Sequence, residues 1–463
     1  MNNPQPVLER VTTIGTGGKR FWMYPAAFHG LWLKRRRLTA YVLIIVFFVV
    51  PWTKVGGHQT FLMDLTERKF ALFGMVFWPQ DTLIFWFFLV GSVLAVFFIT
   101  AQWGRLWCGW ACPQTVFLEH VFRKIESLIE GDAPKRRRLD RGPWTRAKLA
   151  KKSLKYLIFL IISSHFANTV LCYFASTDKV MAMTFANPGN HWGWFTFMAL
   201  FNFLFFMNFA WFREQFCIIA CPYGRFQSVL LDRDSLIVGY HRERGEPRGV
   251  LRKNSPRVGR GDCIDCGRCV AVCPTGIDIR MGLQMECINC TACMDACDQV
   301  MAKIGKPKKL IGYTSQARLE GGKRRFLRFR TLAYSGLTLA LWGMGTYLLL
   351  NKQPLHIQFL RPSGSSFTLL ADTEMVTNHF TARATNASDQ TWELVPRVPP
   401  GFEVIAAFDP WIIPPQSTAQ NQVFIRRKRD AFPHTGKQIV RIKFTHHNTL
   451  AFDSPVTLLG PSL

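Results

Sequence analysis

Eight of the thirteen cysteines stand in two runs, Cys263-x2-Cys266-x2-Cys269-x3-Cys273 and Cys287-x2-Cys290-x2-Cys293-x3-Cys297. Each spaces its thiols C-x2-C-x2-C-x3-C, the bacterial ferredoxin ligation pattern. Iron in a sulfide cube takes soft thiolate donors, and two-residue gaps let a tight loop aim three sulfurs at one cube. The fourth cysteine of each run then ligates the other cluster. The expected sets are Cys263, Cys266, Cys269 and Cys297 for one [4Fe–4S] cluster, and Cys287, Cys290, Cys293 and Cys273 for the second. One such run could bind zinc, but two in tandem point to electron transfer. Asp298 follows the second run where Pro274 follows the first, a departure outside the ligands.

A second pattern recurs 109 residues apart: Trp107-Cys108-x3-Cys112-Pro113 and Phe216-Cys217-x3-Cys221-Pro222. Both pairs read C-x3-C-P with Ala before the second cysteine, and both have Phe (Phe117, Phe226) five residues after it. Four-residue spacing puts both sulfurs on one helical face, and the proline then ends the helix or fixes a turn. The blander reading is that small buried cysteines are packing. The chemical reading is two two-thiolate sites, or one four-thiolate site if the two halves pack together. Soft thiolates suit Cu(I), zinc or another iron–sulfur centre. A redox-active dithiol is a further reading, although its gap differs from the thioredoxin C-x-x-C.

Other candidates are single residues. His165 and Asn168 lie in an apolar segment and serve either as ligand or proton relay or as an interhelical hydrogen bond. His165 and His191 as haem ligands lack a second axial ligand at matching depth. Met181 and Met183 with His191 either meet exported copper or pack. Cys172 reads as structural. Asp64, Glu67, Arg68 and Lys69 suggest an interfacial helix with a solvated face. Gly15-Thr-Gly17-Gly18 lacks the strand–helix context of a dinucleotide turn, so the sequence names no electron donor.

The elements that must position these thiols are membrane helices. The chain has 463 residues, is 49% hydrophobic and carries 40 Phe and 15 Trp, much of it in long apolar blocks, so a membrane protein is the class to test. Five segments lack charge for long enough to span: 38–53, 82–104, 156–177, 192–212 and 331–351, where about 17–25 residues are needed. The first has 16 uncharged residues between Arg37 and Lys54 and relies on snorkelling. It begins too late, and lacks the small-residue site, for a cleaved signal peptide.

Net charge is +27, but Lys and Arg cluster beside apolar blocks rather than in a separate basic domain, which argues against nucleic acid. Lys34–Arg37 precede the first span, 105–152 holds 12 basic residues, and Lys323–Arg330 precede the fifth. The opposite loops are poor in them. The positive-inside rule then places the N-terminus and cluster region in the cytoplasm and everything after 351 outside, in agreement with an odd span count. From Asp298 onward there is no cysteine, so the exported part carries no disulfide. A bacterial inner membrane with a periplasmic face fits best.

The expected fold is thus a multi-domain integral membrane protein. It has a basic segment (1–37), a four-helix α-helical membrane core with both C-x3-C-P motifs (38–230), a cytoplasmic α+β two-cluster ferredoxin domain (231–330), a fifth transmembrane helix (331–351) and an all-β periplasmic domain (352–463). In the last, period-two alternation predicts strands over 356–361, 366–370, 375–384, 392–398, 402–407, 422–427, 438–445 and 456–459. That strand count suggests an immunoglobulin-like sandwich, with a barrel as the alternative. Asn386-Ala-Ser388 reads as a chance glycosylation match.

Taken together, this layout resembles the CcoG family, also called FixG or RdxA. Gly56-Gly57-His58-Gln59 through Leu65, Arg68-Lys69-Phe70, Phe77-Trp78-Pro79-Gln80-Asp81 and Met23-Tyr24-Pro25 are similar to family stretches. The resemblance implies an accessory protein of cbb(3)-type cytochrome c oxidase assembly that reduces Cu(II) to Cu(I). Cys108, Cys112, Cys217 and Cys221 would be its metal-facing thiols, with copper as substrate or transient ligand. Implied partners are oxidase assembly factors or copper chaperones and an unnamed electron donor; a homodimer is the default. A quinol-oxidising subunit similar to the membrane ferredoxins of periplasmic nitrate and nitrous oxide reduction is the first alternative, disfavoured by the fifth span and exported domain. A non-enzymatic scaffold or copper chaperone is the second.

Overall fold

The computed structural model describes residues 21–65, 69–251, 259–363, 366–370, 374–388, 390–446 and 449–461. Gly15–Gly18, Glu67 and Arg68 lie outside them. The chain divides into two compact units, one of Met1–Gly74 with Phe85–Gly345, the other of Met75–Ile84 with Thr346–Leu463.

In the first unit the apolar segments are helical, as expected of apolar runs that satisfy their own backbone groups. Among the described residues, three helices are long and apolar enough to cross a membrane: Thr82–Trp103, Arg146–Phe174 and Trp192–Phe212. The segments at 38–53 and 331–351 fall within helices Leu31–Val49 and Phe329–Leu350. Their apolar runs are diluted, the first by Lys34–Arg37 and the second by Arg330 and several Gly, Ser and Thr. Aromatic packing ties the bundle: Phe47 stacks on Phe166 at 4.9 Å, and Phe122 on Phe209 at 4.3 Å.

The described ends of the Asp64–Lys69 stretch are strands rather than the expected interfacial helix. Phe61–Asp64 and Lys69–Leu72 are antiparallel strands, with Phe61 opposite Leu72 and Asp64 opposite Lys69. Gln59 anchors this region to the bundle by donating to the Cys172 carbonyl at 2.8 Å. Asp64 is nearly buried and pairs with Lys179 at 2.8 Å, so the charges that suggested a solvated face serve a tertiary contact.

Residues 231–328 carry an α+β module. Ile237–Tyr240 pairs antiparallel with Ile311–Thr314, and helix Ala292–Lys303 packs with them around a core that includes Met294, Met301 and several of the cysteines.

The second unit holds two antiparallel sheets. One runs Glu403–Ala406, Thr418–Lys428, Met375–Asn386, Leu355–Leu360, with Thr368–Leu370 also on Met375–Asn386. The other runs Trp411–Ile413, Trp392–Arg397, Lys437–His446, Thr449–Leu459. Alternate residues Val376, Phe380, Ala382 and Ala384 face Leu394, Ile442, Phe444 and Leu458 in one shared core. Each of the eight expected strand segments coincides with a strand; Trp411–Ile413 is additional, too short to show alternation. Asn378 bonds the Leu459 backbone at both N–H and C=O, each at 2.8 Å, which links the sheets. Asn386 is buried, donating to the carbonyls of Gln390 and Pro414, so its sequon is a chance match.

Candidate iron–sulfur site

The two ferredoxin loops repeat each other in backbone detail. Asp265 and Gly267 in the first have φ 51° and 65°; Asn289 and Thr291 in the second have φ 53° and 63°. Left-handed residues on both sides of the middle cysteine turn the chain sharply at that point. Glycine takes this conformation freely, whereas a β-branched residue does not. Thr291 is nonetheless held there, 1% exposed, at the start of the Ala292–Lys303 helix.

The fold brings the eight thiols into two groups. Cys297 lies within electrostatic range of Cys263, Cys266 and Cys269, and Cys293 within range of Cys287, Cys290 and Cys273. Cys263, Cys269, Cys287 and Cys290 are buried, and Cys266 is exposed. The second group surrounds a cavity walled by Val238, Ile277, Ile279 and Ile288. Soft donors around a largely apolar void suit a [4Fe–4S] cube.

The membrane-edge pairs differ from the single helical face expected of them. Cys108 lies in the short helix Leu106–Trp110 and Cys217 in the wide turn Phe216–Ala220. Cys112 and Cys221 then take extended backbone, ψ 124° and 111°, and a new helix starts at Pro113 or Pro222. The residue before a proline avoids the α region, so each pair straddles a break and its proline begins a helix rather than ending one.

The four thiols nevertheless converge. Cys108 lies within range of Cys112 and Cys221; Cys217 within range of all three others; Cys112 within range of Cys221. Gln114 joins the halves by donating to Asn208 and to the Arg213 carbonyl. Gln227, fully buried, donates to the Cys108 sulfur at 3.1 Å. Burial pushes the Cys108 thiol up to about 12, so any metal bound there would have to displace its proton.

This group abuts the second ferredoxin loop. A Cβ on Gly109 would meet the Ile288 carbonyl at 2.5 Å and that of Asn289 at 2.8 Å, so only glycine admits the approach. Arg105, 5% exposed, donates to the Cys287 carbonyl at 3.2 Å and lies within electrostatic range of both Cys287 and Cys108. Arg36, also buried, donates to the Cys290 carbonyl at 2.9 Å. Arg36, Arg105, Gly109 and Gln227 escaped the sequence reading; an arginine shortly before each C-x3-C pair (Arg105, Arg213) was the available signal.

A buried ionic lattice braces the same edge. Arg213 binds both Glu126 oxygens, at 3.1 and 3.0 Å; Arg136 meets Glu126 at 2.8 Å, Lys155 meets Glu130 at 2.8 Å, and Arg123 meets Glu214 at 3.1 Å. Burial alone would raise the Glu126 carboxyl, but Arg213, Lys155 and Arg136 outweigh it and hold it at about 2.

Of the single candidates, Asn168 accepts an interhelical hydrogen bond from Asn202 at 3.3 Å. His165 stacks on Phe48, His191 is exposed in the loop before the next helix, and Cys172 is buried.

Two families match the chain: a 4Fe-4S dicluster domain over residues 212–316 and a 4Fe-4S binding domain over 82–132. Protein RdxB of Cereibacter sphaeroides is 35% identical over 351 residues, 72% of this chain and 72% of its own length. The chain belongs to the FixG/RdxA family. Protein RdxA of the same organism is 39% identical, over 66% of each chain. Nitrogen fixation protein FixG of Rhizobium meliloti is 38% identical over 64% of this chain. The match spans 58% of the length of FixG and 66% of that of RdxA. This FixG/RdxA protein is therefore an iron–sulfur electron-transfer protein, and its three apolar helices mark it as a membrane protein.

Proposed function

We propose that the protein works in a bacterial inner membrane and passes single electrons to Cu(II), giving Cu(I) during assembly of a cbb(3)-type cytochrome c oxidase. The observation that carries this reading is the packed path from the Cys287–Cys293 loop, across Arg105 and Gly109, to Cys108, Cys112, Cys217 and Cys221. Cys263, Cys266, Cys269 and Cys297 hold one [4Fe–4S] cluster, and Cys287, Cys290, Cys293 and Cys273 the other. When bound, such clusters supply one-electron transfer.

The protein's own residues do the rest. Cys287 and Cys290 are kept from water, Arg36 and Arg105 set positive charge beside the second ligand group, and Gly109 lets the two loops touch. Each Cu(II) takes one electron, and thiolates are soft donors that favour the reduced product. The helices Leu31–Val49 and Phe329–Leu350 complete five spans. Close packing supports the fifth: Gly91 lies against Trp342, and Gly345 against Phe88, small residues admitting bulky neighbours. The N-terminus and clusters are then cytoplasmic, and the two-sheet domain is a periplasmic, immunoglobulin-like docking module for an assembly partner.

The test is anaerobic. Reduced protein receives Cu(II) with a Cu(I) chelator, in the wild type and in Cys108→Ala/Cys112→Ala and Cys217→Ala/Cys221→Ala variants. Cluster reoxidation matched by trapped Cu(I), and lost in the variants, is the expected result. Reduced clusters indifferent to copper would overturn the reading in favour of quinol chemistry.

A further inference from the structure

We propose that a cavity in the first unit binds a phosphate-type anion, either free phosphate or the headgroup of an acidic phospholipid, with His120, Arg36, Arg37 and Lys124 as its partners. The assignment goes beyond the copper reading and does not rest on it.

The cavity measures about 190 Å³ and lies between helix Leu31–Val49 and the segment 113–136, with Pro274 and Ala292 also on its wall. That is many times what one water needs, yet below the roughly 300–1,000 Å³ of pockets for drug-sized ligands. Its size selects a small group over a whole cofactor.

Charge decides which group. Arg36, Arg37, Arg123, Lys124 and Arg136 line the cavity, against Glu119 and Asp132. Arg123 is taken up by Glu119 and Glu214, and Arg136 by Glu126. Arg36 gives Nη1 to the Cys290 carbonyl, and Lys124 donates to the Tyr41 hydroxyl at 3.3 Å. Among the described residues, Arg36, Arg37 and Lys124 form no ion pair with a carboxylate. Asp132, which is exposed, is the acid left on the wall to oppose them. Arg36 is 3% exposed, and among the same residues its Nε and Nη2 lack hydrogen-bond partners. A buried guanidinium with unused donors is costly unless an anion offsets it. The ordinary cause of such cations is the positive-inside bias, which sets them in water at the membrane surface. Arg37 and Lys124 are exposed and fit that cause; Arg36 is buried and does not.

His120 adds to this. It is 8% exposed, lines the cavity, and its ring makes no hydrogen bond among the described residues. It sits in the wide π-type turn Leu118–Phe122, a rare conformation that concentrates at functional sites. Burial lowers its imidazole to about 3, helped by Arg36, Arg37 and Lys124. The ring is therefore neutral at pH 7 and offers one N–H donor. The three cations that repel a proton from it are those that would attract an anion.

Leu38 begins the uncharged segment one residue after Arg37. On the proposed topology the cavity thus lies at the cytoplasmic membrane surface, where basic pockets between helices receive acidic headgroups. It also adjoins the second ligand group through Pro274 and Ala292, the chain neighbours of Cys273 and Cys293. An anion beside Arg36 should then disfavour the reduced, more negative state of that cluster.

The test uses the full chain, purified anaerobically in detergent and freed of phosphate and lipid. Inorganic phosphate is titrated by calorimetry, and short-chain phosphatidylglycerol is compared with phosphatidylcholine by native mass spectrometry. Saturable phosphate binding that phosphatidylglycerol does not displace identifies a free anion, and selective phosphatidylglycerol binding identifies a headgroup; either supports the site. Arg37→Gln/Lys124→Gln, both on exposed residues, should weaken binding by about tenfold or more. Lys303→Gln/Lys308→Gln, an equal loss of exposed charge elsewhere, should not. His120→Phe should weaken it while keeping an aromatic ring against Tyr41. Binding should also move the midpoint potential of the Cys287–Cys290 cluster to a more negative value in an EPR-monitored titration. Binding of neither ligand, equal weakening by both double variants, or an unmoved midpoint would overturn the proposal. Failure of copper reduction leaves these outcomes unchanged.

Discussion

Arg105 donates to the Cys287 carbonyl and lies within electrostatic range of Cys108, and its charge has a measurable consequence. A buried cation favours the more negative, reduced state of a neighbouring cluster. Arg105→Gln should therefore move the midpoint potential of the Cys287–Cys290 cluster to a more negative value, in an EPR-monitored redox titration. Arg105→Lys should recover part of the shift, whereas a loss of packing alone would not distinguish the two substitutions. Thr291 makes a second test. It occupies the left-handed position that Gly267 fills in the first loop. A left-handed L-residue costs about 1–2 kcal/mol. Thr291→Gly should thus keep the cluster and alter stability by less than about 1 kcal/mol, as strain relief offsets lost packing. Gly267→Val should speed cluster loss in denaturant. The two cysteine runs were legible because their residue type and spacing are local; Arg105 and Gln227 were not, because a lone Arg or Gln carries no spacing rule.

Between elements, the approach of the Gly109 turn to the Ile288–Asn289 backbone leaves no room for a side chain. Gly109→Val should push the loops apart and slow electron exchange between them, seen by rapid-mixing spectroscopy, while the iron content of the ferredoxin loops stays constant. The ionic lattice makes a prediction in pH. Glu126 is held at about 2, below its usual 4.5, so its contribution is whole above pH 4.5 and is lost as pH falls toward 2. Thermal melts over that window should show a decline that Glu126→Gln removes. The same substitution should cost on the order of 1–3 kcal/mol at neutral pH, since Arg213 keeps only Glu214, at 3.8 Å, and Arg136 loses its carboxylate partner. Helices and longer strands were legible from hydrophobic length and alternation. Asp64 and Lys69 were misread because four charges in a row of six residues look like a solvated helix; the pairing of Asp64 with Lys179 and its place opposite Lys69 are tertiary facts.

For the whole molecule, the proposed topology makes the domain after residue 351 periplasmic. Reporter fusions after Leu350 should be active on the outer side of the inner membrane, and those in 105–152 and 231–330 on the cytoplasmic side; the reverse would overturn the orientation. Within the two-sheet unit Ile425 is fully buried in the shared core. Ile425→Ala should cost about 2–5 kcal/mol, read by the fluorescence of buried Trp411.

The sequence by itself determined the spacing of the cysteine runs, the apolar segments that become helices, the basic flanks and, among the described residues, eight of the nine strands around the second core. Each of these is written in local spacing: two-residue gaps, uncharged length, or period two. Tertiary structure alone decided that two thiol pairs 109 residues apart share one place. It also set Arg105 on Cys287 across 182 residues and Gln227 on Cys108 across 119. Such contacts depend on how helices pack and where prolines break them, and no local periodicity encodes a meeting between segments so far apart.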